Sequence, residues 1–93
     1  MSKYTEIIEL YDYCKKIGVH ATLSELYDGY KIEFANGGDV IQHRLSYGAE
    51  DGCVEPAIRS RLDYTAVPLK NAKQLIRRHK ERLNSERKDG AER

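Results

Sequence analysis

Between Tyr4 and Ile17 the apolar residues fall at Tyr4, Ile7, Ile8, Leu10, Tyr11, Cys14 and Ile17, the three- and four-residue spacing of one helix face. A first helix is predicted there. Lys15 and Lys16 suit the negative end of its dipole, and Gly18 supplies the left-handed residue that commonly closes a helix. From Val19 the period changes to two. Val19, Ala21 and Leu23 alternate with His20, Thr22 and Ser24, and Tyr30, Ile32 and Phe34 alternate with Lys31 and Glu33, which predicts two strands. Asp28-Gly29 between them predicts a tight type I′ turn and therefore an antiparallel hairpin. Asn36-Gly37-Gly38 repeats the turn signal. A third strand is predicted from about Asp39 to Tyr47, with Ile41, His43, Leu45 and Tyr47 on one face and Val40, Gln42, Arg44 and Ser46 on the other.

Gly48, Glu50-Asp51-Gly52 and Pro56 then punctuate the chain, and Ile58, Ser60, Leu62 and Tyr64 alternate with Arg59, Arg61, Asp63 and Thr65. This predicts a long loop leading into a fourth, edge strand over 57–65. Pro68 suits the first position of a last helix, since its φ is preset and its missing N–H is not needed there, while Val67 is pushed out of the helical region. Leu69, Ala72, Leu75, Ile76, His79 and Leu83 form the inner face of that helix. The predicted fold class is α+β. A helix, a three-stranded antiparallel meander with its added edge strand, and a C-terminal helix make one domain over residues 1–84, with both helices on one face of the sheet. Residues 85–93 hold a single apolar residue, Ala91, and are expected to form a flexible charged tail.

Composition changes this picture little. Ninety-three residues bury one modest core, and no apolar run approaches the ~20 residues of a membrane helix. The expectation is a soluble intracellular protein with Cys14 and Cys53 both reduced, Cys14 acting as a small hydrophobe on the first helix. Charge changes it more. Residues 1–56 carry five Lys/Arg against ten Asp/Glu, and residues 57–93 carry eleven against five, a polarity hidden by the net charge of +1. Lys70, Lys73, Arg77 and Lys80 recur at intervals of three and four along one side of the last helix, with Arg78 and Arg82 beside them. Such a row can follow the phosphates of a nucleic acid, and it serves equally as a solvated face opposite the core. Arg59 and Arg61 point the same way if 57–65 is a strand, and would extend the patch.

The other candidate contacts are acidic or aromatic. Glu6, Glu9 and Asp12 lie on the polar side of the first helix, and Glu50, Asp51 and Glu55 cluster in the loop. These carboxylates fit a basic groove on a partner, or simply solubility and the helix dipole. Of the seven tyrosines, Tyr4, Tyr11 and Tyr30 fall on apolar faces. Tyr13 is off the helix stripe and Tyr27 flanks a turn, so these two are the interface candidates. His20, His43, His79, Cys14 and Cys53 have no metal-ligand spacing, Cys53 has no activating signature, and Gly37-Gly38 belongs to a hairpin turn. Neither a catalytic site, a metal nor a cofactor is expected.

Two resemblances add to this reading. The order helix, three antiparallel strands, helix, with Lys70-Asn71-Ala72-Lys73 early in the last helix, resembles the double-stranded-RNA-binding domain and its Lys-x-Ala-Lys element over residues 4–84. That likeness implies direct binding of nucleic acid, DNA or RNA, through Arg59, Arg61, Lys70, Lys73, Arg77 and Lys80. The stretches Asp51-Gly52-Cys53-Val54-Glu55-Pro56-Ala57-Ile58 and Asp63-Tyr64-Thr65-Ala66-Val67-Pro68-Leu69-Lys70 are similar to small uncharacterised phage and prophage proteins of Gram-positive bacteria. This second resemblance implies an accessory protein that binds and inhibits a host nucleic-acid-targeting defence complex, as anti-CRISPR proteins do. Its partner would be a host protein or nucleoprotein complex in the bacterial cytoplasm.

Overall fold

The computed structural model describes residues 4–58 and 66–85. Helix α1 (Glu6–Ile17) is followed by strands β1 (Ala21–Leu26), β2 (Gly29–Phe34), β3 (Asp39–Gln42), β4 (Cys53–Ala57) and β5 (Val67–Pro68), then by helices α2 (Leu69–Arg78) and α3 (Lys80–Asn84). The strands form one antiparallel sheet in the order β1-β2-β3-β4-β5. The fold is α+β as predicted, with five strands where three or four were expected. Each strand lies beside its neighbour in sequence.

The apolar stripes meet in one core. Ile7, Leu10 and Cys14 of α1, Ile32 and Phe34 of β2, Val40 of β3, Val54 of β4, Ala72 and Ile76 of α2 and Leu83 of α3 are buried together with Val19 and Ile58. On the strands this set is Ile32, Phe34, Val40 and Val54, so the pleat turns Lys31, Ile41 and Glu55, which lie side by side in register, to the opposite face. Gly18 closes α1 in the left-handed conformation at φ 84°, as the sequence predicts, and Val19 N–H donates to Cys14 O at 2.8 Å. At its other end α1 has no side-chain cap from Thr5. Gln42, fully buried on β3, does that work instead: its Oε1 accepts from Ile7 N–H at 3.0 Å, and its Nε2 donates to Glu6 Oε1 and Ala49 O.

Four expectations are corrected. In the first hairpin Leu26 pairs with Gly29, so the loop is Tyr27-Asp28, and only Tyr27 has a positive φ, of 55°. A type I′ turn needs both. Gly29 serves as the first residue of β2, where a Cβ would run into the backbone oxygen of Gln42. The third strand stops at Gln42, because His43–Ser46 curl into a turn in which Ser46 N–H donates to His43 O at 2.9 Å and Ser46 Oγ accepts from His43 N–H. The expected long loop contains a 3-10 turn at Ala49–Asp51 and then β4. Pro56 is tolerated in that strand because β5 pairs only with Cys53 and Val54, and among the described residues Pro56 pairs on the β3 side alone. Finally, Pro68 precedes the last helix rather than opening it, and that helix is interrupted at His79, whose φ of −105° and ψ of 23° leave the helical region. The remainder of the expected edge strand, 59–65, and the tail from 86 onward lie outside the described residues.

Among the described residues no helix is long and apolar enough to cross a membrane.

Candidate contact surface between the helices

Glu9 and Tyr13 stand one turn apart on α1, and Lys70, Lys73 and Arg77 stand at successive turns of α2. Packing α1 against α2 brings the two rows together. A groove of about 340 Å³ is lined by Tyr13, Leu69, Lys70, Lys73, Gln74 and Arg77. Lys73 Nζ donates to Glu9 Oε2 at 2.9 Å and lies 5.4 Å from the centroid of the Tyr13 ring. Lys70 and Arg77 are exposed at either side of Lys73 and have no hydrogen-bond or ion-pair partner among the described residues. Four of the residues singled out from sequence (Tyr13, Lys70, Lys73 and Arg77) therefore share one surface.

Lys80 does not join them. After the break at His79 its Nζ lies 3.4 Å from where a Cβ on Gly18 would sit, over the carbonyl end of α1, where a cation offsets the helix dipole. The break lets α3 bond to two turns at once. Asn36 N–H donates to Leu83 O at 3.2 Å, Asn84 Nδ2 donates to Gly18 O, and Asn84 Oδ1 accepts from His20 N–H at 2.7 Å. Arg59 and Arg61 lie outside the described residues.

The acidic candidates separate. Glu50 and Asp51 are exposed on the 3-10 turn, and Glu50 lines a small cavity with Tyr4, Glu6, Ala49 and Gly52. Glu55 is not in a loop but on β4, only 6% exposed, and its Oε2 is buried without a hydrogen-bond partner among the described residues. It offers no open carboxylate to a partner beside Glu50 and Asp51. Asp39, on the same face of the sheet as Glu55, has its carboxyl pushed above the usual value of 3.8 by burial; Lys31 opposes the shift and Glu33 adds to it.

Tyr27 is exposed at the tip of the first hairpin. Its ring lies 4.9 Å from that of His43 and 5.4 Å from the Arg44 guanidinium carbon. Leu45 and Tyr47, 61% and 71% exposed, follow on the same turn, so this end of the molecule presents apolar side chains that the predicted strand hid. The turn is held by Asp28, whose Oδ1 accepts from Arg44 N–H at 2.8 Å. An Asp paired across 16 residues leaves no mark in local periodicity. A larger open groove of about 710 Å³, lined by Tyr11, Val19, Ala21 and Phe34 among others, runs past the end of α1 and holds none of the candidates.

Cys14 and His43 are both engaged in the fold. Cys14 is fully buried and burial pushes its thiol up to about 11, unsuited to a nucleophile at neutral pH. His43 Nδ1 accepts from Leu45 N–H at 3.1 Å and is engaged in its turn. No group of three His, Cys, Asp or Glu that could hold a metal ion occurs among the described residues. Comparison with protein-family models, with curated proteins and with solved structures found no match for the chain.

Proposed function

We propose that the chain is a non-enzymatic accessory protein of phage type, which docks its α1–α2 groove on a host nucleic-acid-targeting complex and blocks it by occupation. One observation carries the reading: Tyr13, Lys70, Lys73 and Arg77 converge on one groove, with Lys70 and Arg77 unpaired among the described residues. A flat amphipathic ring among cations is the composition of a protein-interface anchor. The placement of Glu9 against Lys73 and the net charge of +1 favour a protein surface over bare phosphate, which rewards an unbroken excess of positive charge. Glu50 and Asp51, on a separate exposed turn, would supply the complementary acidic contact. The sequence likeness to small phage proteins supplies the class of target and the bacterial cytoplasm as the place of action.

The test is a pull-down from a lysate of the bacterial host, using the wild type and a Lys70→Glu/Arg77→Glu variant. Recovery of a nuclease or defence component by the wild type alone is the expected result; equal recovery by both overturns the assignment of the groove. Direct nucleic-acid binding is the second reading, favoured by the two unpaired cations. A mobility shift with duplex and single-stranded probes at two salt concentrations separates it, since direct binding weakens steeply with salt. No shift at low salt removes it.

A further inference from the structure

We infer that the α1–α2 groove takes an acidic helix of a partner protein, with two carboxylates about two turns apart straddling Lys73, rather than a continuous run of phosphates. This deepens the reading of the groove as the contact surface and rests on it. Lys70 and Arg77 are seven residues apart on one helix, which places them two turns and about 10 Å from each other. Both lack partners among the described residues. Between them Lys73 is already engaged by Glu9 at 2.9 Å, and the Glu9 side chain is 61% exposed. Along the groove the order is therefore cation, internal ion pair with an open carboxylate, cation.

A polyanion cannot skip the middle of that pattern. Phosphates repeat along each strand more closely than the ~10 Å that separates Lys70 from Arg77, so a strand laid along the row also brings phosphate charge near Glu9. A helix with carboxylates at i and i+7 matches both ends, because these residues share a face and lie about 10 Å apart. Its positions i+3 and i+4 then face Tyr13, Leu69 and the Lys73–Glu9 pair, and are best filled by apolar or basic side chains. Glu9 acts as the selectivity element: it occupies the site of a third carboxylate and repels a ligand that brings its own.

Fluorescence anisotropy with three labelled probes tests this. The probes are an alanine-based helical peptide with Glu at i and i+7, the same peptide with Glu also at i+3 and i+4, and single-stranded oligothymidylate. The wild type should bind the spaced peptide about fivefold more tightly than the fully acidic one, and more tightly than the oligonucleotide. Glu9→Gln should abolish or reverse that preference, and Lys70→Glu/Arg77→Glu, both at exposed positions, should lose binding of the spaced peptide. A wild-type preference for the oligonucleotide or the fully acidic peptide, or an unchanged ranking in Glu9→Gln, overturns the inference. Loss of the lysate partner in Lys70→Glu/Arg77→Glu with no binding of either peptide to the wild type sinks the acidic helix but leaves the groove as the contact surface. Retention of that partner sinks the groove itself.

Discussion

Gln42 holds together two pieces of the chain that sequence order keeps apart. Its amide accepts from the first turn of α1 and donates to Glu6 and to Ala49 O, in a site with no exposure to water. Gln42→Leu keeps the bulk, strands the Ile7 N–H and removes a donor from Glu6 Oε1, while the Ala49 carbonyl keeps its bond from Gly52 N–H. An unpaired buried N–H costs about 1–3 kcal/mol, so the variant should lose roughly that much in urea unfolding. Cys14 gives a second residue-scale prediction. Its thiol is raised from 9.0 to about 11 in the folded state, so the unfolded chain ionises first and stability should fall as pH climbs through that interval. Cys14→Ala should lack this alkaline loss, as seen by denaturant unfolding across the same pH range. Asp39 shifts in the same direction from 3.8. Its folded form holds a proton that the unfolded form has released, so its contribution is favourable below about pH 4 and is lost as pH rises through the raised value. Asp39→Asn should therefore be at least as stable as the wild type at neutral pH, with the advantage gone in acid.

At the scale of elements, α3 is short but carries a full share of the core. Leu83 is completely buried, its carbonyl accepts from Asn36 N–H, and Asn84 bonds to Gly18 O and His20 N–H. A five-residue helix has little intrinsic stability, so these tertiary bonds and the Leu83 side chain are what keep it formed. Leu83→Ala should cost about 2–5 kcal/mol, comparable to Ile76→Ala in α2, by thermal or urea unfolding. A cost near zero for Leu83 would mean that α3 is not part of the cooperative unit. The interruption at His79 also decides charge placement: it removes Lys80 from the row of Lys70, Lys73 and Arg77 and sets it over the end of α1. Lys80→Ala should thus leave partner binding nearly unchanged, while Lys70→Ala and Arg77→Ala weaken it.

For the molecule as a whole, one core shared by α1, β2, β3, β4, α2 and α3 predicts one cooperative transition, with tyrosine fluorescence and far-ultraviolet circular dichroism superimposing through urea unfolding. The sequence alone determined the parts of this core whose signals are local: the α1 stripe and its Gly18 stop, the first hairpin, and the apolar face of α2. Each rests on periodicity or backbone freedom within a few residues of chain. Tertiary structure decided the rest. Cys53–Ala57 reads as a loop because Pro56 breaks strand patterns, and it becomes a strand where β3 pairs with it and, among the described residues, Pro56 pairs on that side alone. His43–Tyr47 alternates like a strand but turns away because Asp28 and Ser46 offer its backbone other partners. The cations of α2 were legible as a row, yet which of them remain open depended on Glu9, 64 residues before Lys73, and on the break at His79. Local pattern states what a segment is able to form; pairings across many residues select among those options, and no short window of sequence contains them.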